Sequence, residues 1–215
     1  MAQEEKIVIR GPAGVLEARH QPAQQQRLGL LMCHPHPLFH GTMDNKVVTT
    51  VTRTAAALGL PAVRFNFRGV GASEGTHDHG AGEQDDVLAA LNYCYEQLGW
   101  QAVILAGFSF GAGMACLASA RQSEKIAALL LLAPAVHHFD APNQLPYEFE
   151  TYVYMGDADE VVPFDEVDSW AGRVVPTPHF QVFEQGGHFF HGRLTDLKAS
   201  LMDDLSPILS AHGVL

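Results

Sequence analysis

Basic residues are scarce in this sequence: 13 Lys and Arg stand against 24 Asp and Glu, for a formal charge of −11. A phosphate backbone or an anionic bilayer would meet that field as repulsion, so neither nucleic acid nor a membrane is an expected partner. Cysteine is scarcer still, at three. Cys33, Cys94 and Cys116 are odd in number, lie in apolar or helical contexts and show no paired metal spacing, so they are expected to be small buried hydrophobes in a reducing cytoplasm. Long apolar runs are also missing. The longest, Ile126 to Val136, is broken by Pro134 and falls short of the ~18 residues of a membrane span, which makes it a buried strand. The opening MAQEEKIVIR has acids where an export signal needs a basic start and an apolar stretch. No repeat, low-complexity tract or long linker divides the 215 residues, and a hydrophobic fraction of 47% suits one self-folding domain over residues 1–215.

What is present is an alternation of two periods. KIVIRG and GVLEARHQP, separated by Gly-Pro-Ala-Gly, predict an antiparallel hairpin. Short apolar runs follow at Arg27 to Pro35, Pro61 to Phe67, Ala102 to Phe108, Ile126 to Pro134, Thr151 to Gly156 and His179 to Glu184. Their near-continuous apolarity predicts parallel strands covered on both faces. Helical patterns lie between and after them, at Asp44 to Gly59, Gly82 to Gly99, Phe110 to Gln122, Pro163 to Arg173 and Gly192 to His212. Strand and helix in turn imply right-handed crossovers and a doubly wound sheet. His137 to Glu150 fits neither period and is either a small lid or a loop.

Ligands of such a sheet bind beyond the carboxyl ends of its strands, so the polar residues that follow strands are the candidates. Ser109 lies in Gly107-Phe108-Ser109-Phe110-Gly111, a G-x-S-x-G pattern with an apolar strand before it and a small-residue helix after it. Its bland reading is a glycine-rich turn with an incidental serine. A serine nucleophile needs a base held by a carboxylate, in the chain order Ser, acid, His. Past the strand TYVYMG stand Asp157, Asp159 and Glu160, and past HFQVFE stands His188. Asp157 abuts its strand and suits an Asx turn, which favours Asp159 as the acid. Glu160 and Asp165 read as charges at a helix start. His179 precedes its strand and lies at the wrong sheet edge; His191 reads as packing or capping near the last helix.

An oxyanion needs N–H donors. The first expected is the backbone of Phe110, at the start of the helix after the nucleophile. The second is expected from the loop His34-Pro35-His36-Pro37-Leu38. Its prolines carry no N–H, so His36 is the better donor and Leu38 the fallback. A metal on His34, His36 and His40 is disfavoured by the two prolines, and His188 with His191 lacks a third ligand. The stretch FRGVGASEG lacks the third glycine of a dinucleotide loop and the lysine of a P-loop, so no cofactor is expected, and Arg68 and Ser73 read as braces.

With these residues in place the sequence resembles the α/β-hydrolase superfamily. More closely it resembles a compact bacterial branch of predicted serine hydrolases related to dienelactone hydrolases, which carries an HPHP-x-x-x-GTMDNKVV block. HPHPLFHGTMDNKVV, RFNFRGVGASEG, GFSFGAG, and GDADEVVP with GGHFFHGRL carry the resemblance. It implies an α/β-hydrolase fold with little or no cap, Ser109 as nucleophile, Asp159 as acid, His188 as base, and Phe110 and the HPHP loop as oxyanion donors. Dienelactone hydrolases have cysteine where this chain has Ser109, which favours carboxylic esters over lactones, and the small lid favours small or short-acyl ones. The competing readings are a thioesterase, a small peptidase-like hydrolase, a nucleotide-binding oxidoreductase and a catalytically silent binding protein on a hydrolase fold.

Overall fold

The computed structural model describes residues 3–214. Its strands are β1 (Glu5–Gly11), β2 (Gly14–Gln21), β3 (Leu28–Cys33), β4 (Ala62–Phe65), β5 (Ala102–Phe108), β6 (Ile126–Leu132), β7 (Glu150–Gly156) and β8 (His179–Phe183). They form one sheet in the order β1-β2-β4-β3-β5-β6-β7-β8. The expected hairpin is there, with Gly11 opposite Gly14, and β2 runs antiparallel to β4; every later pairing is parallel.

The helices are α1 (Lys46–Ala57), α2 (Ala81–Glu96), α3 (Phe110–Arg121), α4 (Phe164–Ala171) and α5 (Leu194–Ala211). The Asn45 side chain caps α1 by accepting the Val47 N–H at 2.8 Å, and Val47, Val48, Val51 and Ala55 turn one face of that helix into the core. The chain steps from β3 outward to β4, then back across β3 to β5. Right-handed crossovers in opposite directions put α1 and α2 on opposite faces of the sheet. Accordingly α1 packs on α5, and α2 on α3. β3 and β5, wholly buried, form the centre of the core. The strand order reverses between them, and the crevice at their carboxyl ends is where an open α/β sheet binds its ligand.

Two strands depart from the sequence reading. The run Pro61 to Phe67 is strand only as far as Phe65: the Asn66 N–H still reaches the Glu17 carbonyl of β2 at 2.8 Å, but beyond it side chains take over, Phe67 donating to the His34 ring at 3.0 Å and Arg68 to Asp86 at 3.1 Å. β8 is not covered on both faces. It is an edge strand, and of its residues only Phe183 is buried. Cys33, Cys94 and Cys116 are free and buried, and burial pushes the Cys116 thiol up to about 12, so it stays protonated at neutral pH.

Candidate active site

Ser109 sits where β5 turns into α3, with φ 55° and ψ −117°. That is left-handed territory for a residue with a Cβ, a strain of about 1–3 kcal/mol held by its surroundings. The flanking glycines explain how. A Cβ on Gly107 would lie 2.3 Å from the Gly111 carbonyl oxygen, and one on Gly111 would lie 2.4 Å from that of His34. Both strand ends therefore close on the first turn of α3, and Ser109 is left 6% exposed at the crevice.

The structure brings together the three side chains expected past the ends of β5, β7 and β8. His188 Nε2 lies 3.0 Å from Ser109 Oγ, and His188 Nδ1 lies 2.8 Å from Asp159 Oδ2. A carboxylate only accepts, so Nδ1 carries the proton and Nε2 is the free acceptor facing the serine. The other Asp159 oxygen accepts the N–H groups of Val161 and Val162, each at 2.8 Å, which fixes the carboxylate. Asp157 does something else: its Oδ1 accepts the Gln185 N–H at 2.6 Å and ties the loop after β7 to the loop after β8. Glu160 is more than a charge at a helix start. Its carboxylate accepts the His188 backbone N–H at 3.2 Å, a contact between loops that sequence order does not reveal. His179 stacks on Tyr152 and His191 stacks on Phe189.

The first turn of α3 spends the Ala112 and Gly113 N–H groups on the Ser109 carbonyl, at 3.0 and 3.2 Å. The Phe110 N–H, at the first helical position, has no intrahelical acceptor. Across the crevice the Leu38 N–H is engaged by the His36 ring, whose Nδ1 accepts it at 3.2 Å. Burial, and next the neighbouring His77 imidazole, holds His36 below the ordinary histidine range, as an accepting ring requires. His34 anchors this loop. Its Nε2 accepts the Phe67 N–H at 3.0 Å, so Nδ1 carries the proton and donates to the Pro35 carbonyl at 2.6 Å. Both ring nitrogens are used, and burial lowers its pKa to about 4.

The loop between β4 and α2 is held from below. Arg68 makes a two-point contact with buried Asp86, at 3.0 and 2.8 Å, and Ser73 Oγ donates to the Asn66 carbonyl at 2.7 Å. Fully buried Glu83 accepts the N–H groups of Asp78 and Gly80, each at 2.8 Å, closing the start of α2. His77 Nδ1 is 3.0 Å from a Glu83 oxygen but not aligned for a hydrogen bond. The His77 ring lies beside those of His36 and Phe110, at centroid distances of 5.1 and 5.8 Å. The connection from β6 to β7 contains a 3-10 turn at Val136–His138, a single bridge from Gln144 to Val175, and no α-helix. A groove of about 770 Å³ between β1 and α2 lies at the sheet's hairpin edge and contains none of these groups. Among the described residues no group of three or more His, Cys, Asp or Glu could hold a metal ion, and no helix is long and apolar enough to cross a membrane.

Residues 38–151 match the α/β hydrolase fold family. An uncharacterized protein of Rickettsia prowazekii (strain Madrid E) is 32% identical, over 96% of this chain and 91% of the relative. Among solved structures, an α/β serine hydrolase without lid from Xanthomonas campestris is 35% identical with a TM-score of 0.87, covering 95% of this chain and 94% of its own. An α/β serine hydrolase homologue from Coxiella burnetii is 38% identical with a TM-score of 0.86, covering 96% and 99%. With a mostly parallel eight-stranded sheet, an antiparallel hairpin at its first edge and these relatives over nearly its whole length, the chain belongs to the α/β hydrolase fold family.

Proposed function

We propose that the protein is a serine hydrolase of small carboxylic esters, working through an acyl-enzyme on Ser109. The observation that carries the reading is the unbroken relay of Ser109 Oγ, His188 and Asp159 Oδ2, with contacts of 3.0 and 2.8 Å. Ser109 Oγ attacks the ester carbonyl while His188 Nε2 takes its proton; Asp159 keeps the imidazole in the right tautomer and stabilises the imidazolium. The carbonyl oxygen, now negative, is received by the backbone N–H groups of Phe110 and His36. Each such donor is worth roughly 3 kcal/mol at the transition state. His188 then returns the proton to the leaving alcohol, and water, activated by the same imidazole, releases the acid. The engaged Leu38 N–H supports His36 over Leu38 as the second donor.

The test is hydrolysis of p-nitrophenyl acetate and butyrate. The wild type is expected to turn both over, and Ser109→Ala to lose roughly 10⁴-fold or more in kcat. Full activity in Ser109→Ala would overturn the reading.

A further inference from the structure

The environment of Ser109 is made of rings. His36, Phe39, His77 and Phe110 come from the loops after β3 and β4 and the start of α3, with His36 at the hub: its ring centroid is 4.9 Å from Phe39, 5.1 Å from His77 and 4.8 Å from Phe110. On the other side Phe189 meets the His188 ring edge-on at 5.1 Å. The cluster is closed at its base, where Phe110 is buried, and opens only at its rim. Phe39 is 77% exposed, on a site with no helical cap.

Stereochemistry assigns the two sides. In the tetrahedral intermediate the leaving oxygen must reach His188 Nε2, so the alcohol lies toward His188 and Phe189. The oxyanion lies at the Phe110 and His36 N–H groups. The acyl substituent takes the remaining direction. We infer that the acyl half of the substrate carries an aryl ring, seated against the His36, Phe39, His77 and Phe110 rings; this rests on the serine-esterase reading above. The ring pairs within the cluster are tilted by 65°, 46° and 50°, so they form a notch of edges and faces. A flat aromatic group fills such a notch with edge-to-face and offset contacts that a saturated group of the same area cannot make.

The experiment compares phenylacetate and cyclohexylacetate esters of one alcohol. Phenyl is more electron-withdrawing than cyclohexyl even across a methylene, so each kcat/KM is divided by that ester's own alkaline hydrolysis rate; both esters are read in the same protein, so this normalised ratio does not depend on how much of a variant is folded. The wild type is expected to prefer the aryl ester about tenfold, as roughly two ring contacts supply beyond buried area. Phe39→Leu removes one exposed ring and keeps its bulk, and is expected to bring the ratio to about threefold or less. A wild-type ratio near one, or a ratio unchanged in Phe39→Leu, overturns the aryl assignment while the esterase reading stands. A preference found only in the alcohol, for benzyl over cyclohexylmethyl acetate, overturns it too. Failure to turn over any ester, with no fluorophosphonate labelling of Ser109, overturns both.

Discussion

Replacing His34 by glutamine removes an imidazole that is fully buried and bonded at both nitrogens, while leaving an oxygen able to accept the Phe67 N–H. In the wild type the ring must be neutral, since a proton on Nε2 would take away the acceptor of that N–H. Burial lowers its pKa from 6.5 to about 4. The unfolded chain therefore binds a proton at His34 below the first value, and the folded protein only below the second. His34 leaves stability intact above pH 6.5, and stability drains away as pH falls from 6.5 to about 4. At about 1.4 kcal/mol per unit, the linked loss is about 3 kcal/mol. The variant gives up the donor to the Pro35 carbonyl, a loss of about 1–3 kcal/mol at neutral pH, but escapes the acid loss at this position. Urea unfolding at pH 7.5 and pH 4 measures both. The wild type is expected to lose about 3 kcal/mol more than His34→Gln between the two pH values. Equal losses would show that the imidazole is not the neutral strut of this loop.

Two further outcomes follow from the site. Because Ser109 holds φ 55°, Ser109→Gly is expected to be about 1 kcal/mol more stable than Ser109→Ala by thermal or urea unfolding, the relieved strain exceeding the entropy glycine adds to the unfolded chain; a glycine variant no more stable than the alanine one contradicts the strain. Asp159→Asn is expected to lower kcat on p-nitrophenyl butyrate by roughly 10⁴-fold, by leaving His188 in the wrong tautomer, while Asp157→Asn, which keeps an acceptor for the Gln185 N–H, stays within about threefold of wild type. The reverse order would move the acid to Asp157.

Ser109 was legible in the sequence because its neighbours are constrained by backbone alone: Gly107 and Gly111 lie against carbonyl oxygens, a requirement that leaves a pattern of small residues. Asp159 and His188 were legible because each follows a strand end, so topology carries them to the same crevice. The strand runs were legible where burial is complete, as in β3 and β5, and less so at the margins. β4 gives out where His34 and Asp86 take the Phe67 and Arg68 N–H groups, and β8 is an edge, and neither fact has a local signature. The second layer was invisible for the same reason. Glu160 on the His188 N–H, Glu83 beneath His77, and the His36 ring between Phe39 and Phe110 are meetings of loops far apart in sequence. Their residue types also have unremarkable local readings, as helix-start acids, turn residues and surface rings.

The central claim is that Ser109 takes up the acyl group, and covalent trapping tests it most directly. Incubation with a fluorophosphonate, followed by intact mass and peptide mapping, is expected to give one adduct per chain on Ser109, with labelling abolished in Ser109→Ala and strongly slowed in His188→Ala. An active wild-type protein that hydrolyses esters yet carries no adduct at Ser109, or labels equally well without His188, would contradict the account.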